Sequence, residues 1–343
     1  MHEFHPGSRP TGSGPVGRPL SLALQGGGSF GAFTWGVLDR LLEQPDITWD
    51  TLSGASAGGV NAVLLADGLA AGGPPEARRK LAWFWEEVSR RTPNGATTLA
   101  VAALGASLRM LSPVAIDPPE LTPLRALLTE GVDFDRLRRH AAEATGPNLL
   151  ISATRVRDGR ATLFRTPEIT RDAVLASACL PFLGRPVTID NEAYWDGGYS
   201  ANPPLRALVA ESAAEDVLLV RLLPASQDGV PHGAQDVARR MQELAFNAPL
   251  QREADELAAL RADARNWAPF RPARTRRLAR LRLHEIAAPG AVAGLERESA
   301  LDTGWPLLHR LMTAGREAAA EWLAGPTPGP RPRSPGPLDR WAP

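Results

Sequence analysis

The stretch Ile47-Thr48-Trp49-Asp50-Thr51-Leu52-Ser53-Gly54-Ala55-Ser56-Ala57-Gly58-Gly59 runs directly into an apolar segment from Val60 to Leu69. A β-like run to Leu52, seven small residues and a helical run predict a strand, a sharp turn and a helix. In that setting Gly54-x-Ser56-x-Gly58 acquires chemical meaning. The turn thrusts the serine hydroxyl clear of the backbone, and the flanking glycines relieve the crowding. Ser56 is therefore the candidate nucleophile, with Gly54 and Gly58 as its elbow. A serine hydroxyl is a poor nucleophile near neutral pH and needs a base within reach and donors for the charge that develops.

Working outward, Leu20-Ser21-Leu22-Ala23-Leu24 reads as a buried strand that leads into Gly26-Gly27-Gly28-Ser29-Phe30-Gly31 and then a helix with Phe33, Val37 and Leu41 on one face. Consecutive glycines at a strand-to-helix turn let backbone N–H groups converge on an anion, either a phosphate or the oxyanion of an acyl transfer. The Gly-Lys-Ser/Thr ending of a phosphate loop and the G-x-G-x-x-G of a dinucleotide turn are both missing. A tight turn for strand–helix packing is the structural alternative, and the oxyanion reading gains force only because Ser56 follows.

Downstream, strands and helices keep alternating, as in an α/β fold. Gly72-Gly73-Pro74-Pro75 breaks the chain. A helix from Lys80 to Arg91 then carries Leu81, Phe84, Trp85 and Val88 at helical spacing. The trio Trp83-Phe84-Trp85 fits a lipid interface or a core-facing stripe, and the spacing favours the core. Residues 92–120 have no period and read as a lid, an acyl-pocket wall or a connecting subdomain. Helices are expected at Pro123–Leu128, Phe134–Ala144 and Ile169–Ala178, with a strand at Asn148–Ala153. Cys179 reads as a packed small hydrophobe. Asp190-Asn191-Glu192 joins a hairpin that ends at Asp196-Gly197-Gly198, where Asp196 is either a turn residue or a base at a strand end. A buried strand at Asp216–Leu222, a long helix at Asp236–Ala262 with a break at Pro249, a strand at Arg280–Ile286 and a helix at Trp305–Leu323 complete the pattern. Seven arginines between Arg265 and Arg282, with no acidic residue among them, read as a solvated connector or a seat for anionic head groups.

The composition sets limits. The 343 residues, 43% of them hydrophobic, supply a full core, and Lys+Arg and Asp+Glu balance at 38 each. No global charge argues for nucleic acid as a partner. One cysteine excludes an internal disulfide framework, and residues 1–20 lack the apolar core of a secretory signal, so the expected location is cytoplasmic. No apolar run reaches eighteen residues, which argues against a spanning helix. The expected organisation is an arm at 1–18, one domain at 19–324 and a Pro/Gly-rich tail at 325–343.

Three blocks now stand in order: the glycine loop, Gly54-x-Ser56-x-Gly58, and Asp196-Gly197-Gly198. A fourth, Ala176-Ser177-Ala178-Cys179-Leu180-Pro181-Phe182, lies between the second and third. Together they resemble the patatin-like phospholipase family of serine acyl hydrolases, over roughly Leu20 to Leu323. The resemblance implies a three-layer α/β fold with a largely parallel central sheet between helices. It also implies a Ser–Asp dyad of Ser56 and Asp196, an oxyanion hole from the N–H groups of Gly26, Gly27 and Gly28, and the Asp-Gly-Gly turn of Gly197 and Gly198. Neither a metal nor a cofactor is expected. The family's loop usually carries Arg or Lys where Phe30 stands here, which bears on any preference for phospholipid head groups.

Of the six histidines, His2 and His5 lie in the arm, and His140, His232, His284 and His309 sit on no evident strand-to-loop motif. A triad through His232 or His284 stays open at this point. The expected activity is hydrolysis of a lipid or other acyl ester through an acyl-enzyme, and a membrane surface is compatible with the balanced charge as a peripheral contact. Two other readings remain: a catalytically weak lipid-binding or partner-docking protein on the same fold, and a thioester or polyester hydrolase.

Overall fold

The structure is a computed structural model that describes residues 17–92, 122–143, 145–181, 185–226, 229–267, 273–288 and 300–325. The reading of residues 92–120 as a lid thus falls almost wholly outside the described residues, as do nearly all of the arm and the tail. In chain order the strands are β1 (Arg18–Leu24), β2 (Ile47–Ala55), β3 (Asn148–Arg155), β4 (Ala161–Arg165), β5 (Val187–Ile189), β6 (Glu192–Asp196), β7 (Asp216–Arg221) and β8 (Arg282–Ala287). The helices are α1 (Gly31–Leu41), α2 (Ala57–Arg91), α3 (Thr122–Gly131), α4 (Phe134–Ala142), α5 (Arg171–Ser177), α6 (Leu205–Glu211), α7 (Ala234–Trp267), α8 (Ala273–Arg280) and α9 (Trp305–Ala324).

One eight-stranded sheet organises the chain, and β3-β2-β1-β7-β8 are parallel neighbours within it. Strands buried on both faces need near-continuous apolar runs, and Val217–Val220 and Leu20–Leu24, interrupted only by the hydrogen-bonded Ser21, supply them. Alternation divides each run between two cores. Leu22, Leu24, Leu218 and Val220 pack with α1, α2 and α9, whereas Ala23, Val217 and Leu219 pack with α6, α7 and α8. This is the expected three-layer α/β fold. The antiparallel part is β4, β6 and β5, with Asp190 and Asn191 both at positive φ (49° and 62°) in the two-residue turn that joins β5 to β6.

Helix α2 departs from helical geometry at Gly72 and Gly73, where the break was expected. Leu81, Phe84 and Trp85 are buried, and Trp83 packs against the same core, so the aromatic trio serves the interior. Two expectations need correction. β2 does not stop at Leu52 but runs to Ala55, because Ser53, Gly54 and Ala55 pair with β1 and β3. β4, which the sequence reading omitted, pairs along β3 from Leu150 to Thr154.

The edges of β3 determine where the site forms. β4 occupies one edge over Leu150–Thr154, so β2, which pairs with Asn148–Ser152, and β6, which pairs with Ala153–Arg155, must share the other. β2 runs parallel to β3 and ends with Ala55 opposite Ser152; β6 runs antiparallel and ends with Asp196 opposite Ala153. The two strands therefore meet end to end at adjacent registers. The residue after Ala55 is Ser56.

Candidate active site

Ser56 sits between the end of β2 and the start of α2 at φ 52° and ψ −128°. That conformation is unusual for a non-glycine residue and is held only where surrounding contacts enforce it. Ser177, at the end of α5, provides those contacts: the Ser56 N–H donates to its carbonyl (3.1 Å) and to its Oγ (2.9 Å). The elbow glycines are fixed by close approach. A Cβ on Gly54 would lie 2.5 Å from the Gly58 carbonyl carbon, and one on Gly58 would collide with the Leu24 carbonyl. With α2 starting at Ala57, the positive end of its dipole lies beside the serine.

Asp196 is fully buried. Its backbone N–H donates to the Cys179 carbonyl (2.8 Å), and its carbonyl accepts from Thr154 Oγ1 (2.7 Å). Residues 177–179 thus hold the backbones of both Ser56 and Asp196. This gives the Ala176–Phe182 block a physical reason that its sequence did not display. Asp196 Oδ1 accepts the Gly198 N–H at 2.8 Å, while Oδ2 is buried with no hydrogen-bond partner among the described residues. Burial pushes the carboxyl up from its ordinary 3.8 to about 7, opposed by the Gly198 N–H and by the adjacent Ser56 hydroxyl. A Cβ at Gly197 would strike the Ser152 carbonyl and one at Gly198 the Phe246 ring, so the Asp-Gly-Gly turn is wedged between β3 and α7.

The glycine loop adjoins this pair. A Cβ at Gly26 would lie 2.7 Å from the Ala55 carbonyl oxygen and 2.8 Å from Ser56 Cβ. The three N–H groups differ, however. Gly26 N–H donates to Asn202 Oδ1 at 2.7 Å, whereas those of Gly27 and Gly28 have no protein acceptor among the described residues. Beneath the loop, Gln25 Oε1 accepts the N–H groups of Leu222 and Leu223 (2.8 and 3.0 Å), and its Nε2 donates to Asn247 Oδ1 (2.9 Å). Sequence reading missed Gln25 and Asn202, and singled out Ser177 only as part of the Ala176–Phe182 block, with no role. The available signals were a polar residue closing an apolar strand and an Asn-Pro-Pro just after the Asp-Gly-Gly turn.

The remaining candidates fall elsewhere. His284 Nε2 lies 2.7 Å from Asp216 Oδ1 at the start of β7, and Asp216 pairs in register with Leu20, so this pair sits toward the N-terminal ends of the parallel strands, whereas Ser56 follows the C-terminal end of β2. His140 bonds Thr145 (2.7 Å), His309 packs near Trp305, and His232 is exposed. No histidine among the described residues hydrogen-bonds Ser56 or Asp196. Cys179 is buried with its thiol pushed up to about 11 by desolvation, as a packed hydrophobe should be. In the basic stretch, Arg277 donates to the Val209 and Ala214 carbonyls (both 2.8 Å) and Arg282 pairs with Asp216 (2.6 Å), so both anchor the fold. Phe30 is half-buried against the main core. No group of metal-ligating side chains forms among the described residues, and no described helix is long and apolar enough to cross a membrane.

Residues 22–209 match the family described as patatin-like phospholipase. Among solved structures the chain is similar to VipD from Legionella pneumophila, with 17% identity and a TM-score of 0.44 over 91% of this chain and 67% of that one. No curated protein matches the sequence.

Proposed function

The chain belongs to the patatin-like phospholipase family, and on that premise we propose that it hydrolyses carboxylic esters of lipids through Ser56 and Asp196. The observation that carries this reading is the end-to-end meeting of β2 and β6 on one edge of β3. It sets a strained serine beside a buried carboxylate with an unpartnered oxygen.

In the acylation step, Asp196 Oδ2 takes the Ser56 hydroxyl proton as Oγ adds to the ester carbonyl. The N–H groups of Gly27 and Gly28 donate hydrogen bonds to the negative charge that develops on the former carbonyl oxygen. Collapse of the tetrahedral species expels the alcohol, which leaves with the proton from Asp196. A water then gives its proton to Asp196 as it attacks the acyl-Ser56 ester, and the proton returns to Ser56 Oγ as the carboxylic acid departs. An ordinary aspartate is a weak base, and burial of Asp196 is what makes it competent near neutrality.

The test is reaction with an alkyl fluorophosphonate. The native protein is expected to be labelled at Ser56 at a rate that rises as pH passes through about 7, where Asp196 loses its proton. Ser56→Ala is expected to take up no label. Equal labelling of the two proteins refutes the assignment.

Contact with a lipid surface is part of the proposal, supported by the first half of α7. Val237, Met241 and Leu244 recur there at helical spacing and are 42%, 66% and 51% exposed, two to nine residues before Phe246 and its contact with Gly198. Further along the same face, Gln251, Arg252 and Asp255 are exposed and polar. Met241→Glu/Leu244→Glu is expected to lose co-sedimentation with phosphatidylcholine vesicles while keeping turnover of a soluble short-chain ester. Unchanged sedimentation would remove this face from the proposal.

A further inference from the structure

Asn202 lies six residues beyond Asp196 and is fully buried. Its backbone neighbourhood is tied to the site, because Ala201 N–H donates to the Gly197 carbonyl (2.9 Å) and the Ala201 carbonyl accepts from Ser152 Oγ (2.8 Å). The side chain makes three contacts. Oδ1 accepts the Gly26 N–H at 2.7 Å, and Nδ2 donates to the Phe246 carbonyl at 3.1 Å and to the Gly26 carbonyl at 3.4 Å.

The two Gly26 contacts belong to different peptide units. The Gly26 N–H belongs to the unit shared with Gln25, but the Gly26 carbonyl belongs to the unit whose other end is the Gly27 N–H. In a planar trans peptide these two groups point in opposite directions. Holding the Gly26 oxygen against Asn202 therefore turns the Gly27 N–H away from Asn202. A donor on the carbonyl also polarises the whole peptide and makes its N–H the stronger donor. Meanwhile Asn202 Oδ1 occupies the Gly26 N–H itself.

We propose that Asn202 is a positioning residue of the oxyanion hole: its carboxamide withdraws the Gly26 N–H from the hole and aims the Gly27 N–H into it, next to Ser56. The inference rests on the ester-hydrolase reading above. It narrows the hole to Gly27 and Gly28, and it couples the hole to the Asp196 turn and to α7, since the same carboxamide holds Phe246. The carboxamide satisfies both demands, because it presents an acceptor and a donor side by side to one glycine from a buried position.

The experiment compares Asn202→Ala and Asn202→Asp with the native protein, using a soluble ester, an alkyl trifluoromethyl ketone and the matching trifluoromethyl carbinol. The ketone adds to Ser56 Oγ and places an oxyanion in the hole, whereas the carbinol fills the same space without adding. Loss of one well-aimed donor is expected to lower kcat by about tenfold to several hundredfold with little change in KM. Ketone affinity should fall by the same factor and carbinol affinity should hold. Asn202→Asp keeps the acceptor and the volume but sets an oxygen against the Gly26 carbonyl, so it should lose the ketone selectively as well. A folded variant with native kcat, equal losses for ketone and carbinol, or failure of both variants to regain the native near-ultraviolet spectrum would overturn the proposal. Ester turnover that is the same in native protein and Ser56→Ala would instead overturn the hydrolase reading.

Discussion

Asp196→Asn is expected to lower turnover of a soluble medium-chain ester by about a thousandfold or more, and at the same time to raise the thermal midpoint at pH 8. A positioned general base contributes roughly two to four orders of magnitude, and here it must also carry the proton to the leaving alcohol. Ser56→Ala removes the nucleophile and should cost more. The double variant should be no worse than Ser56→Ala alone, because residues that act as one unit do not add. Steady-state kinetics on the three proteins checks this, and independent, multiplying losses would break the dyad.

The stability half follows from the same burial. The folded protein holds the Asp196 proton up to about pH 7, while the unfolded chain releases it near 3.8. Between these values the native state binds more protons, so stability falls as pH rises, and above about 7 the full penalty of a buried carboxylate is present. Each pH unit of that gap is worth about 1.4 kcal/mol, which amounts to a few kcal/mol. A neutral amide escapes the penalty. The gain in midpoint for Asp196→Asn should therefore be largest at pH 8 and vanish near pH 4, as calorimetry at the two pH values would show. A variant that is less stable at pH 8 would mean that the carboxylate is not desolvated.

Much of this was legible in the chain. Ser56 announces itself because a strand, small residues and a helix are local patterns, and the glycine loop does so for the same reason. Asp196 was legible as a strand-end residue, but its partnership with Ser56 depends on β3, whose single edge accommodates the ends of both β2 and β6. That pairing is non-local, and β4, which closes the opposite edge, was missed altogether. Asn202 and Ser177 were invisible as functional residues because their task is to hold the backbone of another segment. Such a task leaves no periodicity and no charge pattern. The same holds for Arg277 and Arg282, whose basic run reads as a solvated connector or a seat for anions but whose guanidinium groups face carbonyls and Asp216.

Asp67→Ala is expected to show the opposite pattern to Asp196→Asn: a large loss of stability with the chemistry spared. Asp67 lies in α2, fully buried, with Lys80 Nζ 2.5 Å from Oδ2 and Arg136 Nη2 2.5 Å from Oδ1. Lys80 also donates to the Gly131 carbonyl at 2.7 Å, so this one carboxylate joins both halves of the broken α2 to α3 and α4. Removing it leaves two largely buried cations facing one another, a change that costs about 3–5 kcal/mol. Urea titration should show a lower midpoint with an unchanged slope, and turnover per folded molecule should remain near native, because the Ser56 elbow at the other end of α2 is held by Ser177 and the glycine loop. A midpoint within error of the native one would show that the ion pairs add nothing net. The two buried aspartates thus differ in what surrounds them. Asp67 has both oxygens matched to cations and acts as structure, whereas Asp196 has one oxygen left open beside a serine and is poised to move a proton.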